Sequence, residues 1–455
     1  MLTLRYQNAM SAHVGSGGLS DRELDAAVKA ATPAIRAVLH GRARLGFAAL
    51  PYRENVLSKV EAFARRVRGR FKNFVQIGIG GSSLGAAAIT GALLDRFHNE
   101  RARPRLYFLD NVDPEETASL FERIDPSETL FHVVTKSGET TETVAGMLVA
   151  LERLHTKVKR PGSHIVVTTD RKKGFLRRLA GEQGWRTFEI PANVGGRFSV
   201  LTPVGLVPAA VAGIRIEELA AGAILADELC SRRDPRENPA AMFAIISHLM
   251  DARRGRPIHV MMPYARALRE AADWYRQLWA ESLGKRRTEG GRDVCVGPTP
   301  VVALGATDQH SQIQLFVDGP EDKLVTFVTL QRYRRDVYIP SSVRDPAADF
   351  LHGKSFTDLI VAEQKGTEAA LAAAGRPSMT VELTQVSPRT IGAFFFFLEM
   401  ATVFAGRLYG VDPFGQPGVE AGKRAAFALL GREGFAAGAA EVEAAVAPDP
   451  NYVVR

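Results

Sequence analysis

The stretch from Phe74 to Ile89, FVQIGIGGSSLGAAAI, decides how the rest of the chain is read. Phe74, Val75, Ile77 and Ile79 form the short apolar run of a buried strand. Gly78, Gly80 and Gly81 follow, then Ser82 and Ser83, then the helix-forming Leu84 to Ile89. Glycines let the backbone approach an anion closely, and a helix start offers unpaired N–H groups at a positive dipole end. A second turn of this type, Lys136-Ser137-Gly138-Glu139-Thr140, follows another apolar run. Taken alone, the first turn admits three readings: a phosphate cradle, a dinucleotide turn, or a strand–helix turn with no ligand. The dinucleotide fingerprint needs a third glycine where Ser83 stands, although Asp110 ends the next strand at the place of a ribose-binding acid.

Outward from this stretch the pattern alternates. Strands are expected at Phe74–Ile79, Arg105–Leu109, Thr129–Thr135, Ser163–Thr168 and Thr187–Ile190. The spacing predicts helices at Leu84–Phe97, Glu115–Arg123, Thr140–His155 and Gly174–Glu182. Two helices, Leu24–Leu39 and Asn55–Val67, precede the first strand. Helices Ile216–Arg232 and Ala240–Arg253 lead to a second alternating half. It has strands at Pro257–Met262, Val301–Leu304, Leu324–Leu330 and Met379–Leu383, and helices at Tyr264–Leu283, Lys354–Ala374 and Ile391–Leu408. A helical stretch, Ala425 to Val446, closes the chain. Strand–helix alternation implies mostly parallel sheets covered on both faces.

The 455 residues and 46% hydrophobic content suffice for more than one domain. Two cysteines give no disulfide framework, which fits a reducing cytoplasm. The N-terminus lacks an apolar core of secretory length. The most apolar window, Ile391 to Ala405, is too short for a bilayer and carries Glu399, so it reads as a buried helix. The net charge of +8 comes with no basic–aromatic cluster of a nucleic-acid module. A positive field also attracts a phosphorylated substrate. Gly418 to Lys423 falls short of a phosphate-binding P-loop, because only three residues separate its glycines.

Three side chains stand out, each with a plain reading beside the chemical one. Arg197 follows Gly195-Gly196 in a tight loop and is either a surface arginine or a cleft cation. Asp273, Gln277 and Glu281 are spaced by four and share a helix face. Gly284 ends that helix, so Glu281 sits in the last turn, where the negative dipole end disfavours a carboxylate. It is either an exposed helix glutamate or a site residue. His310 lies in a polar loop after a strand, a place for proton transfer or for a structural histidine.

From about Gly46 to Lys423 the chain resembles the glucose-6-phosphate isomerase (phosphoglucose isomerase) family, and six motifs within that span match it in content and order. They are GIGGSSLG at Gly78, TKSGETTET at Thr135, GGRFSVLTPVG at Gly195, AESLGK ending at Lys285, GATDQHSQIQL at Gly305 and QPGVEAGK at Gln416. The resemblance displaces the nucleotide reading. It implies an α/β fold of two doubly wound parallel-sheet sugar-isomerase (SIS) domains with helices on both faces. The expected layout is an N-terminal helical segment over 1–55, a first domain over 56–213, linking helices over 214–250, a second domain over 251–395 and a C-terminal helical segment over 396–455.

By the same resemblance Gly81, Ser82, Thr135, Lys136, Ser137 and Thr140 hold the substrate phosphate. Arg197 steadies charge at the reacting carbons, and Glu281 is the catalytic base with Gln277 on its helix. His310 and Lys423 open the sugar ring, and Gln416 binds the sugar nearby. The implied reaction is the cytoplasmic interconversion of glucose 6-phosphate and fructose 6-phosphate through an enediolate, in glycolysis and gluconeogenesis. It needs no cofactor and no metal, and the sequence has no HExxH or CxxC spacing. The implied partners are a small phosphosugar and a second copy in a homodimer with shared active sites, with neither nucleic acid nor membrane. The WAESLGK wording and the length fit compact bacterial-type members. Two alternatives remain: isomerisation of another phosphosugar, or a non-catalytic phosphosugar sensor. A sensor can dispense with Glu281, His310 and Lys423, and all three are present.

Overall fold

A computed structural model describes residues 2–454. Strand β1 (Leu2–Arg5) opens the chain but belongs to the second of two large sheets. The first sheet contains β2 (Asn73–Ile77), β3 (Arg105–Leu109), β4 (Thr129–Thr135), β5 (Ile165–Asp170) and β6 (Arg186–Ile190). Its order is β3-β2-β4-β5-β6 and every pair is parallel. The second sheet adds β7 (Ile258–Pro263), β10 (Thr299–Val302), β11 (Lys323–Leu330) and β12 (Ser378–Leu383) in the order β1-β12-β11-β7-β10. Between β7 and β10 in the chain, β8 (Lys285–Arg287) and β9 (Asp293–Val296) form a small antiparallel hairpin.

The central strands β2, β4 and β11 are buried along their whole length. Parallel strands covered on both faces require this, and it is why they are legible as apolar runs. Alternation within each strand splits the first sheet. Val75, Ile77, Phe131, Val133 and Val167 face outward under helices Thr141–His155 and Phe175–Glu182. Phe74, Leu106, Leu130 and Val166 face inward and join a core that continues through Met261, Leu324, Val328 and Val381 of the second sheet. One apolar interior therefore links the inner faces of both sheets.

Helix Pro388–Tyr409 runs through that interior, with Thr390 to Gly406 buried without a break. It is long and apolar enough to cross a membrane, but it is packed against helices Ile216–Cys230, Pro239–Arg254 and Arg269–Leu283. Its crossing with Ile216–Cys230 is glycine-made. A Cβ on Gly222 would land on the Arg389 carbonyl, and one on Gly392 on the Leu219 carbonyl.

Glu399 lies in this helix, 1% exposed, and neither carboxylate oxygen has a partner among the described residues. Burial pushes its pKa well above the usual carboxylate range. The unfolded chain then releases a proton above about pH 4.5 that the folded chain keeps, so Glu399 lowers stability as pH rises. Glu399→Gln, a neutral mimic, should melt with the wild type near pH 4.5 and a few degrees above it at pH 8. Equal melting temperatures at both pH values would contradict a neutral Glu399.

The structure departs from the sequence reading in several places: helices Pro203–Val211 and Ile313–Asp318 are additional, the helix from Leu84 ends at Leu93 rather than Phe97, and the strand expected at Val301–Leu304 is Thr299–Val302. β1 is absent from that reading, which put only helices ahead of β2; it pairs antiparallel with β12 at the edge of an otherwise parallel sheet. The β8–β9 hairpin is absent from it too. The second-half helix starts at Arg269 rather than Tyr264, after a 3-10 turn at Arg266–Leu268. The closing helix is two, Glu420–Leu429 and Ala439–Val446, because Gly431 and Gly434 between them take left-handed φ values of 68° and 81°.

Candidate active site

The chain leaves β2 toward β3 on one side and β4 toward β5 on the other, so a crevice opens between the C-terminal ends of β2 and β4. Such a switch point is where open parallel sheets bind ligands. Both glycine–hydroxyl turns are there. After β4, Thr135 Oγ1 lies 2.7 Å from Thr140 Oγ1 and 3.3 Å from Ser137 Oγ, and Ser137 Oγ lies 3.4 Å from Thr140 Oγ1. These three hydroxyls form a triangle. Helices Leu84–Leu93 and Thr141–His155, which leave the two turns, both start without a side-chain cap, so their first N–H groups remain free for an anion. Ser82 is half-buried at the end of the 3-10 turn Gly80–Ser82. Lys136 turns its ammonium aside to the Ala192 carbonyl at 2.8 Å, and burial draws its pKa down.

Gly81 presses on the Arg197 loop so closely that a Cβ there would strike the Gly196 carbonyl. Arg197, 2% exposed, is fully engaged. Its Nε donates to Ser282 Oγ at 2.7 Å, and Nη1 donates to Gln416 Oε1 at 2.6 Å and Glu281 Oε2 at 3.2 Å. Nη2 donates to the carbonyls of Gly415, at 3.2 Å, and Pro413. Burial lowers its pKa, and Glu281 and Asp412 oppose that shift. The other Glu281 oxygen accepts from Gln277 Nε2 at 2.9 Å. A Cβ on Gly80 would come within 2.9 Å of that same amide nitrogen, so Gln277 stands between the Gly80 turn and Glu281. Gln277 Oε1 is buried and has no partner among the described residues.

The sequence profile of the family described as phosphoglucose isomerase matches residues 45–434. A glucose-6-phosphate isomerase from Carboxydothermus hydrogenoformans is 46% identical over all of both chains. The chain belongs to the phosphoglucose isomerase family. A second glucose-6-phosphate isomerase, from Rubrobacter xylanophilus, is 43% identical over 96% of this chain and 99% of its own. Among solved structures, a hypothetical protein from Thermus thermophilus superposes with a TM-score of 0.84 at 37% identity, covering 93% of this chain and 98% of the other. A glucose-6-phosphate isomerase from Chlamydia trachomatis shares the fold at 23% identity, with a TM-score of 0.82 over 94% and 88%.

For a phosphoglucose isomerase, one chain gathers Arg197, Gln277, Glu281 and Gln416 into one bonded cluster beside the glycine–hydroxyl turn at Gly80. It does not bring in His310 or Lys423. His310 is exposed on the 3-10 turn Thr307–His310, which is pinned from below by Gln309 Nε2 on Tyr264 Oη at 2.6 Å. Lys423 is exposed on helix Glu420–Leu429 and pairs with Glu420 at 3.0 Å. No hydrogen bond or ion pair joins either residue to Glu281 or Arg197 among the described residues.

Two contributors escape the sequence reading. Ser282 anchors Arg197 from the position after Glu281. Lys285, 9% exposed, bonds the Glu281 carbonyl and caps the helix end electrostatically. Burial and nearby Arg197 bring its pKa down to about 8. The place of Lys285 just past the helix end, where a cation meets the last free carbonyls, was the available signal.

Proposed function

We propose that the chain interconverts glucose 6-phosphate and fructose 6-phosphate, with Glu281 as the base that moves a proton between C2 and C1. The observation that carries this reading is the placement of Glu281 one helix turn from Gln277, which itself abuts the anion turn. A sugar phosphate held by Ser82, Thr135, Ser137 and Thr140 extends its carbons toward that carboxylate. Glu281 takes the C2 proton of the open-chain aldose, electron density moves onto O1, and an enediolate forms. The guanidinium of Arg197 is already ordered by its five bonds, so it stabilises that charge without reorganising. The O2 hydroxyl proton passes to O1 as the C2 carbonyl forms, return of the carbon-bound proton to C1 completes the ketose, and Glu281 ends ionised as it began.

Ring opening needs an acid–base pair at the ring oxygen and first hydroxyl, which we assign to His310 and Lys423. Since one chain leaves His310 on its surface, we propose a homodimer in which a second copy brings a histidine segment to each site. Each five-stranded sheet with its helices acts as one sugar-isomerase domain, over 56–213 for the first and over 251–395 for the second, to which β1 (Leu2–Arg5) is added from outside those bounds. The enzyme works in the cytoplasm, in glycolysis and gluconeogenesis.

The reading is tested with purified protein and glucose 6-phosphate. The wild type should form fructose 6-phosphate. Ser137→Ala combined with Thr140→Val should raise KM roughly tenfold or more at nearly unchanged kcat, since the lost bonds hold a dianion in ground and transition states alike. A wild type that binds the sugar phosphate without converting it would sink the enzyme reading.

A further inference from the structure

The inner face of the first sheet carries a polar chain for which the proton transfer has no use. Gln76 of β2, His132 of β4 and Thr168 of β5 are each fully buried, on the face that also presents Phe74, Leu130 and Val166. Polar side chains in neighbouring core strands cost stability unless their atoms are paired. Here they are paired end to end. Thr168 Oγ1 meets His132 Nε2 at 2.7 Å, and His132 Nδ1 meets Gln76 Oε1 at 3.1 Å. Gln76 Nε2 donates to the carbonyls of Ser82 at 2.7 Å and Val204 at 3.3 Å.

The two carbonyls fix the direction of the whole chain. A carbonyl only accepts, so the amide nitrogen of Gln76 faces them and its oxygen faces His132. His132 therefore donates from Nδ1, and its Nε2 accepts the Thr168 hydroxyl proton. Burial keeps the ring neutral, with its pKa lowered to about 3.

The far end of this chain is the anion site. Ser82 closes the turn after β2, and Val204 sits in the first turn of helix Pro203–Val211, which follows the Arg197 loop. One amide thus ties the Ser82 turn and the start of that helix to the sheet. We propose that Gln76, locked in one orientation by His132 and Thr168, is a positioning residue that aims the Ser82 turn at the substrate phosphate. This rests on the assignment of that turn to the phosphate. Without the Gln76 bond the Ser82–Ser83 peptide loses the partner of its carbonyl and keeps the Ser83 N–H bond to the Gly80 carbonyl at 2.9 Å, so it can tilt, and the Ser82 hydroxyl loses its common aim with the N–H groups of helix Leu84–Leu93. The loss falls on phosphate binding, because the bonds that Gln277 and Arg197 make to Glu281 do not pass through this chain.

The test measures KM, kcat, inhibition by inorganic phosphate and melting temperature for Gln76→Leu, Thr168→Val and Ser82→Ala. Gln76→Leu should raise both KM and the phosphate inhibition constant roughly tenfold, and Thr168→Val roughly threefold, with kcat within about twofold. Thr168→Val is nearly isosteric, so it decides the matter if Gln76→Leu does not fold. A lower melting temperature with KM and phosphate inhibition unchanged in the folded variants, while Ser82→Ala raises both, overturns the positioning role and leaves the phosphate assignment standing. Ser82→Ala with neither constant raised overturns the phosphate assignment itself.

Discussion

Glu281→Gln lowers kcat for glucose 6-phosphate about a thousandfold or more, while KM stays within about threefold. The variant keeps the shape of the side chain and removes its basicity. It also keeps the fold, for a reason visible in the site. The glutamine oxygen can still accept from Arg197, which leaves its amide nitrogen facing Gln277. Gln277 can turn over and offer Oε1, the atom that has no partner in the wild type. Both hydrogen bonds survive, so binding survives and only the proton transfer is lost. Steady-state kinetics of the two proteins side by side check this; a variant with wild-type turnover would remove Glu281 from the chemistry.

Arg197→Lys should lower kcat about a hundredfold and reduce the melting temperature by several degrees. Charge is retained, so the loss measures geometry. The guanidinium reaches Ser282, Glu281, Gln416, Gly415 and Pro413 at once. An ammonium has three donors on a narrower head and leaves some of these groups unpaired in a buried place, each at a cost of about 1–3 kcal/mol. The 413–416 loop, which carries Gln416, then loosens from the helix that carries Glu281. Calorimetry and kinetics on one preparation check both halves. Wild-type turnover with a lowered melting temperature would make Arg197 a structural tie alone.

Much of the first sheet was legible because a strand buried on both faces must read as an apolar run, and because the glycines at 78, 80 and 81 mark where a backbone approaches something closely. The two glycine–hydroxyl turns were legible for the same reason. β1 was not, since four residues at a chain end acquire meaning only from a partner strand nearly 380 positions away. The β8–β9 hairpin escaped because its strands are short and one is wholly basic: Lys285–Arg287 faces Asp293–Val296, with Arg287 Nε 2.9 Å from Asp293 Oδ1. Arg197 and Glu281 lie 84 positions apart. Spacing alone left each with an ordinary surface reading, and only the resemblance named them together. No resemblance pointed to Gln76 and His132. In sequence they are polar interruptions of two apolar strands, and their partnership exists only through the strand register that sets Gln76 opposite His132.

The central claim is that a carboxylate carries the proton through an enediolate, and isomerisation in deuterium oxide followed by NMR tests it most directly. The account predicts deuterium at C1 of fructose 6-phosphate and at C2 of recovered glucose 6-phosphate over many turnovers of the wild type, and almost none with Glu281→Gln. Conversion that proceeds with no deuterium entering either sugar, or incorporation by Glu281→Gln at the wild-type rate, would contradict it.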